Sequence, residues 1–161
     1  MIFLYIVYIF FMLLGLFMAI VGILHEYSFI NSLPILVKAI IGSFGIALVG
    51  SSIFYSRKLY KLSIGTDITF PQSDEDSLIK TGIFMYFLLR PFFSLCFSFL
   101  LILALKTSIL IVSVKDTTLD SGFIYLTMFL SFFAGFSSGD ILSVLEDVGK
   151  KKMEKFFSSQ E

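Results

Sequence analysis

Four apolar runs take up most of this 161-residue chain, at roughly 2–24, 35–55, 83–105 and 121–138. A helix needs about 20 mostly apolar residues to cross a bilayer. Inside lipid every backbone N–H and C=O must be satisfied within the protein, and a helix does this for itself. The runs therefore predict an all-α integral membrane protein with four transmembrane helices in one domain, residues 1–138. Composition agrees. Only 15% of residues are charged and 57% are hydrophobic, with 21 Phe, whereas a soluble domain carries about 25% charged residues. The formal net charge is zero, so bulk charge points to no nucleic-acid partner.

The first run has no basic segment ahead of it and reaches Leu24 without an Ala-x-Ala-like cleavage site. A secretory signal has both, so a retained helix is expected. Pro34 suits the first turn of the second helix, where its missing N–H costs nothing. The short connection 25–34 makes the first two helices an antiparallel hairpin. Residues 56–79 form the main polar loop, and the acidic triplet Asp74, Glu75, Asp76 is placed to favour a helix start near Ser77.

Lys and Arg mark the cytoplasmic side of a membrane protein. Arg57, Lys58, Lys61 and Lys80 flank the second loop, and Lys150, Lys151, Lys152 and Lys155 crowd the tail. Four spans put that loop and the tail on the same side. Both termini are expected in the cytoplasm, and the chain in a bacterial cytoplasmic (inner) membrane.

Arg90 interrupts the third apolar run, and a charge inside lipid is costly enough to need a reason. Lys106 lies 16 residues further on, about 24 Å along a helix. That spacing favours two anchors, each snorkelling to its own interface. The alternative places Arg90 inside the bundle, paired with Asp140 at the end of the fourth helix.

Small residues recur every four positions in the second run, at Ala39, Ser43, Ala47 and Ser51, and in the fourth at Ser131, Gly135 and Gly139. Such faces let helix backbones approach closely. They serve either packing within the chain or contact between copies in a homo-oligomer. Ser137 with Asp140 three positions later resembles a capping box. The tail that follows, 139–161, reads as a short amphipathic cytoplasmic helix with Ile141, Leu142, Leu145 and Val148 on one face. Its lysines, Lys150, Lys151, Lys152 and Lys155, suit anionic lipid or a partner protein.

Catalytic, cofactor and metal motifs are not evident. His25 and Glu26 are adjacent, but one His and one carboxylate are too few for a metal site. The lone Cys96 sits in an apolar run, without a base to activate it.

Tyr86-Phe-Leu-Leu-Arg-Pro91, followed by Ala134-Gly-Phe-Ser137, resembles a pattern in small bacterial multi-pass membrane proteins of unassigned chemistry. The resemblance covers roughly residues 35–150. It departs at Ser138, where the pattern favours Glu, which leaves Asp140 as the substitute acid. In size and topology the chain also resembles KwaA, the membrane subunit of the Kiwa antiphage system. That likeness implies a membrane subunit working with a soluble cytoplasmic protein in antiviral (phage) defence. A homo-oligomeric channel or membrane-permeabilising effector is the alternative.

Overall fold

The computed structural model describes residues 2–24, 33–63, 77–112 and 121–144, together with 147, 148 and 151. Four helices account for most of them: α1 (Ile2–Ile23), α2 (Ile35–Ser63), α3 (Ser77–Val112) and α4 (Ser121–Phe136). A short helix α5 (Ser138–Val144) follows at 66° to α4. The described residues contain no strand. Helix α1, the stretch Ile35–Lys61 of α2 and the stretch Phe84–Ser108 of α3 are long and apolar enough to cross a membrane. Helices α4 and α5 pass the same test only as a bent pair, the form of either a broken span or a re-entrant loop. Alone, the 16 residues of α4 cover about 24 Å, short of a hydrocarbon core of about 30 Å.

Two boundaries differ from the sequence expectation. Helix α2 runs on to Ser63 rather than ending near 55, and α3 extends from Ser77 to Val112 rather than from 83 to 105. The polar loop shrinks accordingly. Residues 56–63 contain neither Gly nor Pro, and basic side chains are favourable in the last turn of a helix. Apolarity marks where hydrocarbon begins and ends, while the helix continues into the polar zone until the chain supplies a breaker. The helix start near Ser77 is as expected, but the acidic triplet ahead of it lies outside the described residues. So do His25, Glu26, Lys150, Lys152 and Lys155. Pro34 opens α2 as anticipated, its carbonyl accepting from the N–H groups of Val37 and Lys38.

Close contacts set the directions of the helices. Gly15 meets Gly45 and Gly22 meets Gly42, so α1 and α2 are antiparallel. Gly135 meets Ala47 and Gly139 meets Tyr55, so α2 and α4 run the same way. Ser98 bonds Ser131, with Arg90 near Gly139, which makes α3 and α4 antiparallel. Arg57, Lys58, Lys61 and Arg90 thus share one end of the bundle, while Lys38 and Lys106 lie toward the other.

Helix α2 is the hub. Its Ala39, Ser43, Ala47 and Ser51 are all fully buried. A side chain on Gly135 would run into the Ala47 carbonyl, and one on Gly45 would sit 2.5 Å from the Gly15 carbonyl oxygen. Helices at such range gain dispersion contacts along their backbones, the main attraction available between apolar helices in lipid. The four-residue repeats therefore pack helices within the chain. Large apolar residues such as Phe10, Phe17, Leu100 and Phe129 are left on the outside.

Two apolar clusters bracket this region. Leu4, Tyr8, Tyr55, Leu59 and Phe87 fill the Arg90 end. Ala19, Ala39, Ile102, Phe123, Ile124 and Met128 fill the other. Hydroxyls are interspersed with buried Ala47, Leu48 and Val49 along the interior. Ser43, Ser51, Ser94, Ser98, Thr127 and Ser131 are fully buried.

Candidate functional site

Pro91 lies inside α3 and has no N–H. A proline in a helix leaves the carbonyl four residues earlier without its usual donor, and here that carbonyl belongs to Phe87. The Tyr8 hydroxyl donates to it from α1. A buried carbonyl exposed by sequence on one helix is thus satisfied by a tyrosine on another. On the other side of the break, the Ser94 hydroxyl donates to the Pro91 carbonyl at 2.6 Å and lies 3.3 Å from Ser51 Oγ. One turn deeper, Ser98 donates to Ser131 at 2.9 Å. Serines on α3 thus meet serines on α2 and α4, forming a hydroxyl seam along the middle of the bundle.

Arg90 caps this seam. Its side chain is 6% exposed, so the guanidinium is packed among the helices at the basic end of the bundle. The guanidinium carbon sits 4.0 Å from the ring centroid of Tyr86, one turn back on the same helix, and 5.7 Å from that of Tyr55 on α2. A cation over an aromatic face is worth about 0.5–2 kcal/mol, more when desolvated. Tyr55 is wedged among Phe54, Phe87 and Tyr8, which fixes the ring that Arg90 faces.

The expected ion pair with Asp140 is absent. Asp140 is exposed, and Arg90 Nη1 is buried without a hydrogen-bond partner. Arg90 instead meets the backbone at the bend between α4 and α5, where a Cβ on Gly139 would lie 3.3 Å from Nη1 and 2.5 Å from the Tyr55 hydroxyl oxygen. The Tyr55 hydroxyl and Ser138 Oγ, on the residue beside that glycine, are likewise buried without a well-aligned hydrogen bond, but the Tyr55 hydroxyl interacts with both Ser138 and Arg90, so the three polar groups cluster at the bend. The bend explains the geometry. Asp140 N–H donates to the Ser137 carbonyl, and the Ser137 N–H to that of Phe133. The chain therefore closes α4 and reopens as α5 around Ser137. Turning through 66° carries Ser138 inward and leaves Asp140 outward. The helix boundary expected at Ser137–Asp140 is real, whereas the acid was assigned to the wrong side of it.

Of the other candidate residues, Gly139 is half-buried at the site, and Lys151 is exposed. Tyr8 was missed because its run was read as simply apolar. The available signal was Pro91, which implies an orphan carbonyl and hence a donor on a neighbouring helix. Lys38, 5% exposed at the opposite end, was read only as a loop-flanking charge.

No protein family, curated protein or solved structure matches this chain. Its class follows from fold and composition: an α-helical membrane protein, apolar outside and threaded inside by hydroxyls that end at Arg90.

Proposed function

We propose that the chain is a membrane-embedded subunit of a larger bacterial assembly. Its basic end faces the cytoplasm and presents the 64–76 connection and the 145–161 tail to a soluble protein partner, in a setting such as antiviral (phage) defence. The observation that carries the proposal is the use of the small-residue faces. Ala39, Ala47 and Ser51 are fully enclosed and Gly135 abuts Ala47, so the closest-packing surfaces are spent within one chain. What faces outward along the spans is bulky and apolar, suited to lipid. What remains for protein recognition is the pair of polar segments, 64–76 and 145–161, that follow α2 and α5 in the sequence.

Extraction of tagged protein in mild detergent tests the proposal. A cytoplasmic protein should co-purify with the full-length chain and be lost on deletion of 145–161. Recovery of the same proteins with both forms would overturn it.

The hydroxyl seam ending at Arg90 favours a second function, a homo-oligomeric channel or membrane-permeabilising effector. Planar-bilayer recordings decide it. Conductance that changes in Arg90→Leu would support it, and a strictly monomeric, non-conducting particle would remove it.

A further inference from the structure

The last two turns of the membrane-spanning part of α2 carry a groove of about 220 Å³ lined by Phe54, Arg57, Lys58 and Lys61. These positions share a face because a helix returns every three to four residues. Phe54 is an apolar wall, held edge-on against Phe136 at 5.1 Å and Tyr55 at 5.0 Å. Lys58 reaches across to α3, its Nζ 5.6 Å from the Tyr86 centroid. The same ring carries Arg90 at 4.0 Å. Two cations therefore share one aromatic ring.

Arg57 is exposed, and Lys58 beside it is half-buried. Cations clustered on one helix face favour an anion placed among them. The position of the groove indicates which anion. It lies at the end of the stretch Ile35–Lys61, where hydrocarbon gives way to headgroups. Ile53, one turn before Arg57 on the same face, is 41% exposed and continues the apolar path. A ligand with a phosphate at the level of Arg57 and Lys58 and hydrocarbon at the level of Ile53 matches both. A basic pocket at the membrane boundary is the usual way helical membrane proteins hold anionic headgroups.

We propose that the Phe54–Arg57–Lys58–Lys61 groove binds the phosphate of an anionic phospholipid headgroup, with the acyl chains lying along the Ile53 face. This goes beyond the proposed partner interaction and does not depend on it.

Native mass spectrometry of the full-length protein in detergent, with phosphatidylglycerol or phosphatidylcholine of equal chain length added, tests the proposal. Phosphatidylglycerol should be retained preferentially. Each basic residue near a membrane surface contributes roughly a fivefold gain in affinity. The double variant Arg57→Gln/Lys58→Gln should therefore lose roughly 25-fold in phosphatidylglycerol retention, and Arg57→Lys/Lys58→Arg should restore it. Circular dichroism melts of Arg57→Lys/Lys58→Arg should match wild type, and the double Gln variant, which loses only the Lys58–Tyr86 contact, should keep a cooperative melt and the same helix content. Replacing Lys150, Lys151, Lys152 and Lys155 with Gln should leave the preference intact, which separates the groove from the tail and from any partner the tail recruits. Equal retention of the two lipids by wild type, or an unchanged preference in the double variant, would overturn the proposal. Displacement of the lipid by inorganic phosphate would also overturn it, reassigning the groove to a soluble anion.

Discussion

Helices α1 and α2 are both long and apolar enough to span a bilayer, yet the bundle uses them in opposite ways. The spanning window of α2 is 61% buried within the protein, against 22% for α1. Helix α1 has no charged residue, while α2 carries Lys38, Arg57, Lys58, Lys61 and five serines. The more polar helix is thus the more enclosed one. A soluble protein would reverse this. In lipid, apolar burial supplies no drive between helices, and close backbone approach and hydroxyl bonds take its place. Helix α1 meets the bundle through Gly15, Ala19, Gly22 and Tyr8 and gives the rest of its surface to lipid.

The comparison can be broken at several points, in descending order of expected effect. Gly135→Leu should be the most damaging, because the new side chain meets the Ala47 backbone, which cannot swing aside. We expect a loss of about 3 kcal/mol or more, seen as aggregation on size-exclusion chromatography and a collapsed melting transition. A well-folded Gly135→Leu would mean that α4 does not pack on α2 as described.

Arg90→Met should act in the opposite direction. Burying a cation whose Nη1 has no well-aligned partner costs several kcal/mol, more than the about 0.5–2 kcal/mol returned by the aromatic faces. The melting temperature should rise. A fall would show that the contacts with Tyr86 and Tyr55 outweigh the cost of burying the charge.

Tyr8→Phe removes the donor to the Phe87 carbonyl and should cost about 0.6–1 kcal/mol, a typical range for one hydrogen bond between membrane helices. The cost should vanish in a Pro91→Ala background, where residue 91 regains its N–H. A double-mutant cycle measures that coupling, and its absence would detach Tyr8 from the proline break. Least affected should be Phe17→Ala. Phe17 is 65% exposed on α1, facing lipid, and its melt should stay within about 0.5 kcal/mol of wild type. A large loss there would mean that the face of α1 is covered by another protein surface, and that α1 is less unlike α2 than the single chain indicates.

Much of the architecture was legible beforehand. The runs located four helices, Pro34 located a helix start, and Ser137–Asp140 located the bend. The spacing of Ala39, Ser43, Ala47, Ser51 and Gly135 identified the packing faces, though not whether they met within one chain. The helix ends around 56–63 were less legible, because hydropathy reports the solvent and not the backbone conformation. The pairing of Arg90 was misread for a different reason. Sequence distance from Ser137 does not reveal on which side of a 66° turn a residue emerges.

Apolar length and sparse charge were enough, by themselves, to determine that the chain is helical and suited to a membrane, since lipid tolerates few other backbone arrangements. Charge placement likewise determined which helix ends are basic. Tertiary structure alone decided the rotation of each helix about its axis. Helices apolar on nearly every side carry little signal of which face turns inward. Docking on α2 enclosed the Arg90 side chain among aromatic rings and brought Tyr8 to the Phe87 carbonyl. It also put Gly139, rather than the Asp140 carboxylate, beside the guanidinium.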